Sequence, residues 1–198
     1  MKKALPYLIA LVVIAAGVGV YYSSHTTVPG SLESISTSEA PWAPETDHLR
    51  ERLSAIHLPA LAAEGSALHI HQHLDIFVHG KPVAVPADIG IHDAIPQFIA
   101  PIHVHDTTGI IHVESPTVEK FYLGQFFDIW GVRLTDTCLG GYCADATNTL
   151  TFYVNGTKYE GDPRQLELTS HEEIVATYGT PSELPNPIPS TFSFPEGY

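Results

Sequence analysis

Sulfur is scarce in this chain. Its 198 residues hold two cysteines, Cys138 and Cys143, and a single methionine, Met1. Two thiols bracketing Leu-Gly-Gly-Tyr match no zinc-binding spacing, and no second cysteine pair exists to complete one. In an oxidising compartment they close one small-loop disulfide that pins a turn. Paired thiols and the lack of any methionine beyond Met1 argue against a soft Cu(I) site built on sulfur as well. Positive charge is the second shortage: 9 Lys and Arg stand against 22 Asp and Glu, a formal net charge of −13. Such a surface repels phosphate backbones, which argues against nucleic acid as a partner, and concentrates cations instead. Catalytic signatures are missing too, with no nucleophile elbow, phosphate loop or zincin motif.

Charge is wholly absent from Ala4 to Tyr22, a run long enough to cross the ~30 Å hydrocarbon core as a helix. Lys2 and Lys3 before it place the N-terminus inside and the remainder outside. Pro6 falls in the first turn, where its missing N–H is tolerated. Residues 1–22 therefore read as a transmembrane signal anchor, with a cleaved signal peptide as the alternative. Both readings put the fold outside the cytoplasm. Residues 23–45, rich in Ser, Thr, Pro and Glu, read as a flexible stalk, 46–180 as a β-rich domain, and 181–198 as a Pro-rich tail, extended or loosely attached.

Within the domain, Leu49, Leu53 and Ile56 recur at helical spacing, between Asp47 and Pro59. From Leu68 the period becomes two. The stretch 68–78 alternates as a strand and turns at His79-Gly80 into residues 82–86. A second hairpin spans 101–105 and 110–114, and Leu123–Trp130 reads as a short helix burying Phe126, Phe127 or Trp130. Val132–Leu134 reads as a short strand, Thr149–Tyr159 as a hairpin around Asn155-Gly156, and Glu173–Tyr178 as a last strand. The strand–turn–strand runs beginning at Leu74 and Leu150 echo one another, as a decayed repeat or as two ordinary hairpins. The expected class is mainly β, antiparallel hairpins forming a sandwich or open barrel, with one or two short helices.

Twelve histidines are present, and their placement carries the functional reading. In 68–78 the even positions are Leu68, Ile70, Gln72, Leu74, Ile76 and Val78, while the odd ones are His69, His71, His73, Asp75 and Phe77. Successive strand side chains point to opposite faces, so one face is aliphatic and the other is a histidine row. Neighbours in that row stand ~6.5–7 Å apart, close enough for two imidazoles to converge on one ion. In the second hairpin Ile102, Val104, Ile111 and Val113 suit a core, and His103, His105 and His112 do not. Pairing 104 with 111 and 103 with 112 puts every aliphatic side chain on one face. A slip by one residue would set Asp106, His112 and Glu114 among them, so burial selects the first register. If the strand and the hairpin share a sheet, six imidazoles share a patch.

Neutral imidazole is the commonest metal ligand, and three or four of them suit zinc, copper, iron or nickel. The ligand set is His69, His71, His73, His103, His105 and His112, with Asp75 and Glu114 orienting imidazoles from behind. Asp106 is read as stabilising its own turn, and His25, His48, His57, His79, His92 and His171 as ordinary. An all-nitrogen set favours Cu(II) first and zinc second on intrinsic affinity. The expected function is metal sequestration or transfer outside the cytoplasm. A His-ligated metalloenzyme, a solvated or pH-sensing histidine cluster, and a metal-free interaction module are the alternatives.

The run from His71-Gln-His73-Leu-Asp-Ile-Phe-Val through Val85-Pro-Ala-Asp-Ile-Gly-Ile, His103-Val-His105-Asp-Thr-Thr-Gly-Ile-Ile-His112-Val-Glu-Ser-Pro and Leu123-Gly-Gln-Phe-Phe-Asp-Ile-Trp-Gly resembles a group of membrane-anchored extracytoplasmic prokaryotic proteins. The likeness covers roughly residues 68–178. It implies that His71, His73, His103, His105 and His112 belong to the group's pattern, and it lends no reaction, since the group has no settled activity. Cupins and carbonic anhydrases also use His-x-His, but the sequence around the motif here matches neither.

Overall fold

The structure, a computed structural model, describes residues 34–198. The expected anchor and residues 23–33 of the stalk lie outside the described residues. Among those described, no helix is long and apolar enough to cross a membrane.

The alternating stretch forms the central strand β1 (Leu68–Val78). It turns back at His79 and Gly80, both at positive φ, the geometry of a tight primed hairpin turn, into β2 (Lys81–Val83). A separate pair, β3 (Ile91–His92) and β4 (Phe98–Ile99), places His92 in a short strand rather than a loop. The second hairpin is β5 (Ile102–His103) and β6 (Ile110–Ser115), with His103 opposite His112 as burial of the aliphatic face requires. The two helices follow the apolar spacing, α1 as Leu49–Ala55 and α2 as Leu123–Trp130. The chain continues through β7 (Cys138–Leu139) and β8 (Tyr142–Cys143), tied by the Cys138–Cys143 disulfide. The hairpin β9 (Thr149–Val154) and β10 (Thr157–Tyr159) follows, then β11 (Glu173–Gly179). Val132–Leu134 makes isolated bridges to Ser36 and Leu139 and does not form the short strand expected there.

Six strands run in the order β10-β9-β11-β1-β6-β5, and β2 also pairs with β1. β1 is long enough to serve three partners: β6 along 68–73, β2 along 76–78, and β11 along 73–78. The hairpins are antiparallel, but β11 lies parallel to β1. A parallel neighbour arrives by a long crossover, without a turn signal to announce it. The sheet is therefore mixed, and no closed barrel forms among the described residues. On one face Leu74, Ile76, Ile102, Val104, Ile111, Val113, Phe152, Ile174 and Ala176 are buried with Leu49 and Leu53 of α1 and the aromatic side of α2. Phe126, Phe127 and Trp130 are all fully buried. α2 begins where the Tyr122 N–H donates to the Gln125 side chain at 2.9 Å and ends at Gly131, in the left-handed conformation.

The first difference from the expected organisation is the stalk. Residues 34–45 belong to the domain rather than to a flexible linker. The Ser36 N–H donates to the Gly131 carbonyl at 2.7 Å. Trp42 is 4% exposed and meets Trp130 edge to face at 5.7 Å, its indole N–H donating to the Ser38 carbonyl at 2.9 Å. Burying an indole of ~200 Å² stabilises by about 5 kcal/mol on area grounds, which outweighs the polar composition around it. Trp42→Ala should therefore lower the stability of the chain by about 3–5 kcal/mol, read as a drop in the urea midpoint. A tryptophan in a detached stalk would leave that midpoint unchanged.

Candidate metal centre

Strand pairing assembles the site. β1 and β6 meet with His71 opposite His112, and β6 and β5 with His112 opposite His103. Three imidazoles thus stand in a row across three adjacent strands, on the face opposite the aliphatic core. Side chains directly opposite on antiparallel strands have Cβ atoms ~4.5–5.5 Å apart. The rings follow, with centroids 4.6 Å apart for His71 and His112 and 5.3 Å for His112 and His103. His69 joins at the β1 end and His105 at the hairpin end.

The nitrogens converge. His69 Nε2 lies 3.2 Å from His71 Nε2, and His103 Nε2 lies 3.1 Å from His105 Nε2. Glu114 enters the same space, although the sequence suggested a role behind the imidazoles. Its Oε1 is 3.2 Å from His69 Nε2, 3.2 Å from His112 Nδ1 and 4.0 Å from His103 Nε2. Glu114 is therefore itself positioned as a donor. His103 is oriented from behind by the Ala100 carbonyl, 3.0 Å from Nδ1, which fixes Nδ1 as the protonated nitrogen and leaves the Nε2 lone pair facing the cluster.

His71, His103, His112 and Glu114 are buried. Burial first, and then the mutual repulsion of neighbouring imidazoles, pushes His71 and His103 down to about 4 and His112 to about 3. These rings are neutral at physiological pH, the form in which imidazole binds metal. Glu114 moves the other way, raised by burial and then by the charge of Glu64. Glu64, whose Oε1 is 3.4 Å from His105 Nε2, lies in the loop before β1, where no sequence pattern marked it.

His73 and Asp75 stand apart from this cluster. His73 Nδ1 is 2.8 Å from Glu173 Oε2, and Nε2 donates to the Thr108 carbonyl at 2.8 Å. Gly109 permits that loop contact, since a Cβ there would come within 2.9 Å of His73 Nε2 at a positive φ. Burial lowers the pKa of His73, but the Glu173 hydrogen bond and charge, with Asp75 and Thr108, outweigh it and leave it raised. His73, Asp75 and Glu173 are close enough to form a second donor group, yet both His73 nitrogens are already engaged. The sequence grouped His73 with the other five because it shares their face. Nothing in the sequence marks Glu173, because the parallel β1–β11 pairing that delivers it has no local signature. Asp106 serves its own turn, as expected, accepting from the Thr108 N–H at 2.8 Å.

The Pro-rich tail is not loose. Phe192 stacks on His73 with centroids 3.8 Å apart, and the Tyr198 ring lies 4.6 Å from His71 and 5.4 Å from His112. His171, read as ordinary, holds both partners: its N–H donates to the His71 carbonyl at 2.6 Å and its Nε2 to the Tyr198 carbonyl at 2.9 Å. The aromatic residues of 181–198 thus pack on the histidine face. The disulfide contributes no donor to this site.

The chain matches no protein-family model, no curated protein and no solved structure.

The depressed imidazoles have a consequence for the metal-free protein. A histidine whose pKa is lower folded than unfolded supports the fold fully above its ordinary value of 6.5 and loses that support as pH falls through the folded value. Glu114 and Glu173, raised first by burial, and His73, raised by its Glu173 partner, act in the opposite sense, and the three strongly lowered imidazoles outweigh them. The urea midpoint of the apo protein should therefore fall between about pH 6.5 and about pH 4. An unchanged midpoint over that range would mean that these rings are solvated in the folded state.

Proposed function

We propose that this protein binds a first-row transition metal at the histidine–Glu114 centre, copper(II) in preference to zinc, and sequesters or hands over that metal on the outer face of a membrane to which residues 1–22 anchor it. One observation carries the reading: His71, His112 and His103 stand opposite one another on adjacent strands, buried and neutral, with further imidazoles and one carboxylate within donor distance. In the absence of an ion the imidazoles have mainly one another and Glu114 as partners, and the burial of so many nitrogens costs solvation. A divalent cation supplies a further partner.

The donors are nitrogen and carboxylate oxygen, a set suited to Cu(II) and Zn(II), and Cu(II) stands highest in intrinsic affinity for such ligands. The net charge of −13 adds a field that draws cations toward the domain. A metalloenzyme could use the same ligands, but it needs an open coordination position reachable by substrate. The packing of Tyr198 against His71 and His112 favours holding a metal over turning over a substrate.

The 198-residue chain, purified without a histidine tag, should retain copper or zinc through desalting at neutral pH, measured by elemental analysis. The combined substitutions His71→Ala and His103→Ala should abolish retention. Unchanged retention in that variant would overturn the assignment. Because the ligands must be neutral, lowering the pH of the loaded protein to about 4 should release the metal, with protons competing for the same lone pairs.

A further inference from the structure

Six donors exceed the four of a tetrahedral or square-planar site, and by distance they fall into two sets. His69, His71, His112 and Glu114 offer atoms all within 4.8 Å of one another, and so do His103, His105, His112 and Glu114. Each set holds one His-x-His pair, and His112 and Glu114 belong to both.

The spacing inside each pair is informative. A tetrahedral ion with nitrogen ligands at ~2.0–2.1 Å sets those nitrogens ~3.3–3.4 Å apart. The pair on β1 has its Nε2 atoms 3.2 Å apart, and the pair on the hairpin 3.1 Å. Each pair is therefore aimed at its own point. A single ion would engage one pair and leave the other with two facing lone pairs. Glu114 lies between the two points, its Oε1 nearer His69 at 3.2 Å and farther from His103 at 4.0 Å. A carboxylate has two oxygens, so Glu114 can reach both ions, whereas a neutral imidazole has one lone pair and His112 can serve only one of them. Glu64, 3.4 Å from His105 Nε2, adds a second carboxylate on the hairpin side. Together the two carboxylates offset part of the charge of a cation pair.

We propose that the centre is dinuclear, holding two divalent first-row transition ions, one on His69 and His71 and the other on His103 and His105, bridged by Glu114 with His112 between them. This rests on the metal-binding reading above and fixes the number of ions. Two-metal centres hold their ions ~3.5–4 Å apart, a distance at which two Cu(II) spins couple through a shared carboxylate.

The test is a Cu(II) titration of the 198-residue chain at neutral pH, with bound copper measured by elemental analysis after desalting and the EPR signal integrated at each step. Two copper ions per chain are expected, with signal intensity falling below the bound copper as the second ion enters. A plateau at one ion, with every bound copper visible by EPR, overturns the dinuclear centre and leaves metal binding intact. Retention of none overturns both. Two ions with full, uncoupled intensity overturn the bridge. His69→Ala and His105→Ala are separate companions, because both side chains are largely exposed, at 52% and 41%, and their removal spares the core. Each should weaken one ion by at least tenfold and leave the other. Wild-type affinity for both ions in both variants would overturn the assignment of the pairs.

Discussion

The register between β1 and β6 is the constraint on which the rest depends. Side chains alternate across a strand, so sliding β6 by one residue against β1 would bring His112 and Glu114 into the aliphatic layer beside Leu74 and Ile102. Ile111 and Val113 would then leave it. The aliphatic layer, covered by α1 and α2, thus selects the pairing that sets His71 opposite His112. The histidine face is specified by the face it does not share. The same reasoning carries to β5, whose Ile102 and Val104 fix His103 opposite His112. No interaction among the histidines themselves is needed to assemble the row, and in the absence of an ion their mutual effect is repulsive when charged.

Assembly by the core leaves the site with an energetic problem that its surroundings solve in part. His103 has the Ala100 carbonyl behind it, and Glu114 has His69 and His112 beside it. His73 is engaged at both nitrogens, which sets it apart from the other five histidines and makes it the clamp that ties β1 to β11 and to the Thr108 loop. One face of one strand therefore carries two different uses of histidine. The difference between His71 and His73 comes from their cross-strand partners, His112 for the first and Ile110 and Glu173 for the second.

Periodicity made the sheet legible. Alternation over 68–78, the Asn155-Gly156 turn and the aliphatic pairs of the second hairpin defined strands, turn positions and the 103–112 register from sequence alone, because each is a local consequence of burial or turn geometry. The adjacency of β1 and β6 was reachable as a match between two faces. What stayed hidden was set by distant chain. The parallel β1–β11 pairing brings Glu173 to His73 across a separation of 100 residues. Glu64 reaches His105 from a loop with no pattern. Composition is a poor guide in two places, since Ser- and Pro-rich stretches have the character of linkers although Trp42 in one is buried and Phe192 and Tyr198 in the other pack on histidine rings. A single aromatic side chain can anchor a segment whose average character is polar, because its contact area exceeds that of several small neighbours.

Aromatic side chains of the tail also cover part of the site, over His71, His73 and His112. The sheet has two faces, and the helices cover only the aliphatic one. The histidine face would otherwise expose neutral imidazoles to solvent water, where burial could no longer hold their proton affinities down. The tail lays Phe192 on His73 and Tyr198 against His71 and His112. Aromatic rings exclude water without offering competing lone pairs along their faces, so they lower the local dielectric while leaving the ring nitrogens to one another and to Glu114. His171 couples this cover to the strand beneath it, donating from its backbone to His71 and from its ring to Tyr198. Cover and strand therefore share one hydrogen-bonded connection. The His71 backbone and the ring that packs over its side chain are thus joined through one residue, which makes the tail part of the histidine face and not an appendage to it.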